Sequence, residues 1–120
     1  MIKMDYWQIA HNEINKAYQA RQNRNEGMAR VCARRAAGAA VKGYLSANKI
    51  PIPTPTSIDL LQDRRALEHI PQQLRSTMEH LTLRVGADHN LPAGIDLLSE
   101  TTVLIETLQN LGSKEDSNGK

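Results

Sequence analysis

The chain has 120 residues, of which 40% are hydrophobic and 23% are charged, and its formal net charge is +2 at pH 7. These values are typical of a single soluble globular domain. The sequence contains no Phe, one Trp and three Tyr, which argues against a nucleic-acid site built on stacked aromatic rings.

Cellular location is predicted from what the sequence does not contain. No apolar run is long enough to cross a bilayer, and no initial segment has the pattern of a secretion signal. The one cysteine, Cys32, has no partner for an intramolecular disulfide. Its alanine-rich surroundings favour a small buried thiol over a catalytic one. We therefore expect a cytoplasmic protein that does not associate with membranes.

Helical spacing of apolar residues begins at the N-terminus. Trp7, Ala10 and Ile14 share one face of a helix predicted from Asp5 to about Arg24, and Asp5 is suited to cap its start. An interruption at Gly27 is expected before a second helix, which runs over about residues 28–48. The stretch "KIPIPTPTS" must then be a loop, because its prolines remove backbone donors and disfavour helical geometry in the residues before them.

Further helices are predicted after this loop. Thr56 or Ser57 is suited to cap a short third helix that runs to about Arg65. A fourth helix begins near Pro71, and the last runs from Pro92 to Gly112. Their apolar stripes are Leu74, Met78 and Leu81 in the fourth, and Leu97, Leu98, Thr101, Leu104, Ile105, Leu108 and Leu111 in the last. The sequence therefore predicts an all-α, up-and-down antiparallel bundle of four to five helices over residues 1–112, with a disordered polar tail at residues 113–120.

The segment "RVCARRAAGAAVKGYL" combines many very small residues with many cations. In helical projection its small residues form one uncharged arc of about 160°. The arc consists of Ala29, Cys32, Ala33, Ala36, Ala37, Ala39, Ala40, Gly43 and Tyr44. Small side chains allow neighbouring helices to approach closely, so we expect the second helix to be the buried centre of the bundle.

Cations occupy the remainder of this helix. Arg30 and Arg34 lie about 40° apart in projection and one turn apart in height, so together they can bind one phosphate group. Alternatively, they pair with acids of the first helix, such as Glu13, or are simply solvated. Arg35 and Lys42 lie on a separate strip.

Two stretches of the chain resemble the HEPN domain family. "ARVCARRAAGAAVKGYLSANKIPIPTPTSIDLL" resembles that family's second helix and the loop after it. "LRVGADHNLPAGIDLLSETTVLIETL" is similar to its final helix and the lead-in to that helix. The resemblance implies a helical bundle, frequently dimeric, that is linked to nucleotide or RNA metabolism and partnered with a separate minimal nucleotidyltransferase. The chain departs from the family at Thr56 and Ser57, where a histidine often precedes the third helix.

Active ribonucleases of this family carry an Arg followed four to six residues later by a His. Three pairs here have four residues between them: Arg64 with His69, Arg75 with His80, and Arg84 with His89. A histidine can accept the proton of a ribose 2′-hydroxyl while an arginine stabilises charge on the phosphate. Arg75 and His80 fall on different faces of one predicted helix, so Arg64, His69, Arg84 and His89 are the candidate catalytic residues. Structural or surface roles for these histidines are the alternative.

Other chemistries lack a motif. The sequence has no His-x3-His or Cys pair and no glycine-rich phosphate loop, so we expect no metal and no cofactor. Three hypotheses follow. The first is a homodimeric binding and assembly module for a nucleotide, RNA or a nucleotidyltransferase; the second is a metal-independent endoribonuclease, as in the toxin of a two-component system. The third is a helical scaffold unrelated to RNA.

Overall fold

The computed structural model describes residues 5–82 and 96–112. Within these ranges the chain forms helices and no strands, which confirms the all-α bundle. The α-helices are α1 (Tyr6–Gln22), α2 (Glu26–Ala47), α3 (Ser57–Gln62), α4 (Arg64–Leu67), α5 (Arg75–Leu81) and α6 (Leu97–Gly112), and a 3₁₀ turn at Gln72–Leu74 leads into α5.

Helix α1 begins as the sequence predicts. The Asp5 carboxylate accepts a hydrogen bond from the Gln8 backbone N–H at 3.1 Å, which satisfies one of the amides at the start of the helix. The buried residues of α1 recur every three or four positions: Ala10, Ile14, Ala17 and Ala20. This spacing places one narrow stripe of α1 against the rest of the bundle.

The turn between α1 and α2 corrects the prediction about Gly27. Arg24 takes the left-handed conformation, with φ 60°, and Asn25 caps α2 by accepting a hydrogen bond from Met28 N at 3.1 Å. Gly27 therefore lies in the first turn of α2 and does not interrupt it. An exposed arginine can adopt this conformation at modest cost, so a glycine is not needed at the turn.

Helix α2 is the centre of the bundle, as predicted. It packs against α1, α6, α3 and α5. The residues of the small-residue arc are buried, except for the half-buried Tyr44. Burial extends beyond that arc to Gly38, Val41 and Leu45 because α3 and α5 cover a further side of the helix.

Side-chain pairs fix the directions of the long helices. Trp7, near the start of α1, lies against Gly43 near the end of α2, so these two helices are antiparallel. His11 near the start of α1 contacts Gln109 near the end of α6, at 2.8 Å from Nε2 to Oε1. Helix α6 is therefore also antiparallel to α1 and lies beside α2.

The short helices differ in detail from their prediction. The predicted third helix is divided at Asp63, whose extended backbone ends α3 and whose carboxylate caps α4 by accepting from Arg65 N at 2.8 Å. Thr56 precedes α3 without a side-chain hydrogen bond to it. The predicted start of the last helix at Pro92 and the predicted tail at residues 113–120 lie outside the described residues.

Candidate functional site

Arg34 lies on the side of α2 that faces α5, and Arg30 precedes it by one turn of the same helix. Arg34 is half-buried, and its Nε donates a hydrogen bond to the carbonyl oxygen of Leu81 at 3.0 Å. Leu81 is the last residue of α5, so the guanidinium satisfies a carbonyl at the C-terminal end of that helix. The predicted alternative partner, Glu13, instead lies 3.6 Å from Lys16 Nζ through its Oε2.

Arg34 is affected both by its partial burial and by the charge of Arg30. Burial lowers the pKa of Arg34, and the positive charge of Arg30 lowers it further. Over residues 5–82 and 96–112, neither arginine lies within 4.0 Å of a carboxylate oxygen. Because Arg34 is held through Nε, its two Nη groups keep their donors for another acceptor. This arrangement is suited to an anion.

The candidate catalytic residues are only partly described. Arg64 is the exposed first residue of α4, and His69 is exposed just after that helix. His69 donates its backbone N–H to the carbonyl oxygen of Ala66 at 3.0 Å, which places it on the next turn of the chain. Arg84 and His89 lie outside the described residues. Catalysis by either pair stays a prediction.

The histidine of the third pair has a structural contact. His80, near the end of α5, lies 2.8 Å from Glu100 Oε1 through its Nδ1 and so connects α5 to α6. Arg75 is exposed at the start of α5. His80 therefore has a role that needs no substrate.

A cleft that the sequence did not predict lies between α1, α2 and the start of α3. It has a volume of about 240 Å³ and is lined by Tyr6, Ile9, Glu13, Arg35, Ala39, Lys42 and Ser57. Spacings of three and four residues along α1 and α2 place these residues on facing sides of the two helices. The position of Ser57 depends on tertiary packing, since a Cβ at Gly38 would lie 2.6 Å from Ser57 Cβ.

Glu13 connects this cleft to the core. Its Oε1 is buried without a hydrogen-bond partner among the described residues, while Oε2 is 3.6 Å from Lys16 Nζ. The nearby Cys32 is 3% exposed, and burial, followed by the negative charge of Glu13, raises the pKa of its thiol. The prediction of a small buried thiol is confirmed.

Arg21 connects three helices at the other end of α1. Its Nε lies 2.9 Å from Glu26 Oε1 on α2, and its Nη1 lies 3.0 Å from Asp96 Oδ1. Asp96 also accepts hydrogen bonds from Leu98 N and Ser99 N, at 3.2 and 3.4 Å, and so caps α6. We interpret this cluster as structural, because both carboxylates already have hydrogen-bond donors within it.

The chain matches no model of a known protein family, no curated protein and no solved structure. Within the described ranges, no three His, Cys, Asp or Glu side chains come together in a group that could hold a metal ion. None of the helices described is both long and apolar enough to cross a membrane. The site must therefore be interpreted from its own residues.

Proposed function

We propose that the protein is a non-catalytic helical binding and assembly module that holds a phosphate-bearing ligand, a nucleotide or RNA, at Arg30 and Arg34. The observation that carries this proposal is the hydrogen bond from Arg34 Nε to the Leu81 carbonyl, which fixes one guanidinium beside a second one on the same helix. The resemblance to the HEPN family supports the same class of ligand.

The energetics of the pair favour a bound anion. Two like charges on successive turns of a helix repel each other, and partial burial of Arg34 reduces the screening by water. A phosphate bound between the two guanidinium groups is attracted by both of them through charge-assisted hydrogen bonds. Each guanidinium is planar, and its paired N–H donors match the spacing of phosphate oxygens. The anchored Nε reduces the conformational entropy that Arg34 loses on binding.

Assembly is part of the proposal. The resemblance implies a homodimer and a separate minimal nucleotidyltransferase as partner, and the aliphatic core of this small chain would gain from a shared apolar surface. In this arrangement the partner supplies the chemistry, and the bundle supplies a phosphate-binding surface beside it.

A metal-independent endoribonuclease is the second candidate function. It is favoured by one observation, which is that Arg64 and His69 are both exposed at α4 and so are accessible to a large substrate. Incubation of a single-stranded RNA with the purified chain in the presence of EDTA tests this function. Cleavage that is lost in either His69→Ala or His89→Ala would replace the first proposal with this one.

Binding measurements test the first proposal directly. Fluorescence anisotropy of a labelled single-stranded RNA is followed at 50 and 200 mM salt for the parent, Arg30→Glu, and a control, Arg75→Glu. Arg30 is chosen because Arg34 also supports α5. We expect Arg30→Glu to weaken binding at least tenfold and to flatten the salt dependence, and Arg75→Glu to stay within twofold of the parent.

Two results would reject this site. One is the absence of RNA binding by the folded parent at 50 mM salt, with ATP also failing to compete or bind. The other is binding by Arg30→Glu with the affinity and salt dependence of the parent.

A further inference from the structure

The cleft between α1, α2 and α3 is a separate site from the Arg30 and Arg34 pair and lies on another side of α2. Arg35 and Lys42 lie about 80 to 140° around α2 from those two arginines. The cleft is bounded by three elements, whereas the arginine pair lies on one helix surface. A ligand in the cleft can therefore be enclosed on several sides.

Its charges are not balanced. Arg35 and Lys42 line the cleft together with Glu13, whose Oε2 is already 3.6 Å from Lys16 Nζ. Arg35, Lys42 and Lys16 carry three positive charges and Glu13 one negative charge, so two positive charges are in excess. In the described part of the chain, neither Arg35 nor Lys42 has a carboxylate oxygen within 4.0 Å. Two net positive charges match a phosphomonoester, which carries a charge of about −1.5 to −2 at pH 7.

The hydrogen-bonding groups also favour phosphate over a carboxylate. Arg35, Lys42, Tyr6 and Ser57 all carry hydrogen-bond donors, and they line the cleft from three helices. A phosphate ester has three terminal oxygens and can accept from all of these groups, whereas a carboxylate has two. Ser57 is packed closely against α2, because a Cβ at Gly38 would meet both its Oγ and its Cβ.

The remaining walls specify the body of the ligand. Ile9 and Ala39 are apolar, and the Glu13 carboxylate, which can only accept hydrogen bonds, lies on the α1 side. These walls suit a compact ligand that places carbon atoms against Ile9 and Ala39 and donates hydrogen bonds to Glu13 from hydroxyl or amino groups. A volume of about 240 Å³ is smaller than the usual range for drug-sized ligands, so the ligand must be small or extend partly into solvent.

We infer that this cleft is a binding site for a small phosphomonoester with a hydroxylated body, whose phosphate lies between Arg35 and Lys42. Ribose 5-phosphate, the portion that all 5′-mononucleotides share, is the probe. The site uses none of the residues assigned to the proposed function, and the two assignments can fail separately.

Isothermal titration calorimetry at low salt tests the inference. The parent should bind ribose 5-phosphate at least tenfold more tightly than ribose or inorganic phosphate. Ribose lacks the phosphate that contacts Arg35 and Lys42, and inorganic phosphate lacks the sugar that contacts the remaining walls. Arg35→Gln combined with Lys42→Gln should weaken that binding at least tenfold, while Arg75→Gln, at an exposed position that does not line the cleft, should change it less than twofold. Both cleft cations are at least partly exposed, so the double variant should keep the parent's circular dichroism and melting temperature.

A steric variant and a mapping measurement complete the test. Ala39→Leu fills the cleft without changing its charge and should also weaken binding at least tenfold. In the parent, saturating ribose 5-phosphate should shift the backbone amide resonances of Tyr6, Ala39 and Lys42 in ¹⁵N–¹H spectra, whether or not any variant folds. Absence of these shifts at millimolar ligand overturns the inference. It is also overturned if binding is lost on Arg30→Gln but unchanged in the double variant, a result that would favour the arginine pair.

Discussion

The indole of Trp7 lies against Gly43 so closely that a Cβ at residue 43 would be 2.9 Å from its Cε2 and 3.1 Å from its Cζ2. The same ring approaches the last residue of α6, since a Cβ at Gly112 would be 3.3 Å from Cζ2. The largest side chain of the protein thus joins α1, α2 and α6 because two of these helices present a glycine to it.

Gly43→Ala should destabilise the protein by about 1 kcal/mol, because overpacking costs about 1–3 kcal/mol and the better helix propensity of alanine returns up to about 1 kcal/mol. Chemical denaturation gives the free energy of unfolding. Gly27→Ala is the matched control: its Cβ would meet only Asn25 Oδ1, at 3.9 Å. The control should be neutral or stabilising. Equal effects of the two substitutions would contradict the close approach of Trp7.

Gly38→Ala should be more costly than Gly43→Ala. A Cβ at Gly38 would lie 2.6 Å from Ser57 Cβ and 3.1 Å from Ser57 Cα, so backbone as well as side chain must move. Overpacking at the upper end of its range, about 3 kcal/mol, is offset by up to about 1 kcal/mol of helix propensity, so we expect a loss of about 2–3 kcal/mol. Denaturation of Gly38→Ala and of the double variant Gly38→Ala/Ser57→Gly measures the effect. Failure of the second change to restore any stability would exclude Ser57 as the source of the strain.

Ala36→Leu and Ala40→Leu test the centre of α2 more generally. Both alanines are fully buried, and each substitution should cost about 1–3 kcal/mol through overpacking. Ala47→Leu, at the exposed end of the same helix, is the control and should be close to neutral. Melting of either core variant at the temperature of the parent would contradict the close packing of α2.

The burial of α2 could be predicted from sequence because it depends on periodicity, and Ala29, Ala33, Ala36 and Ala40 recur at helical spacing. The turn at Arg24 could not be located in the same way. Gly27 is the conventional signal for such a turn, yet the cap at Asn25 places the start of the helix before it. The tendency of Gly27 to interrupt a helix was outweighed by the hydrogen bond that Asn25 accepts from the backbone amide of Met28 in the first turn of α2.

The candidate site was predictable only in part, for a related reason. Helical projection places Arg30 beside Arg34, but the partner of Arg34 is the carbonyl of Leu81, which is 47 residues away. The cleft combines Glu13, Lys42 and Ser57, which come from three elements and meet only through tertiary packing. No spacing rule within one helix relates such positions.

Cys32 should react slowly with thiol reagents in the folded protein. Its side chain is 3% exposed, and burial together with the Glu13 charge raises the pKa of the thiol, which lowers the thiolate fraction at neutral pH. With 5,5′-dithiobis(2-nitrobenzoic acid) at pH 8, we expect a rate at least a hundredfold lower in buffer than in 8 M urea. Similar rates in the two solvents would show that the interface between α1 and α2 is open.

The pair formed by Arg21 and Asp96 should make stability depend on pH in the acid range. The hydrogen bond from Arg21 lowers the pKa of Asp96 below its unfolded value, which is about 3.9. A lowered folded pKa means that the stabilisation is fully present above the unfolded pKa and is lost as pH falls through the folded pKa. The side chains are 36% and 54% exposed, so solvent screening limits the gain to about 0.5–1 kcal/mol at low salt.

Asp96→Asn isolates this charge effect, because asparagine can still accept the hydrogen bonds from Leu98 N and Ser99 N that cap α6. Urea denaturation from pH 7 to pH 3 should show the parent more stable than the variant above about pH 5, with the difference shrinking below pH 4. Added 1 M NaCl should remove most of the difference at pH 7, since it screens exposed charges. Asp59→Asn, at an exposed position of α3, is the control, and its stability should follow that of the parent. A difference between parent and Asp96→Asn that stayed constant from pH 7 to pH 3 would mean that the charge of Asp96 does not stabilise the fold.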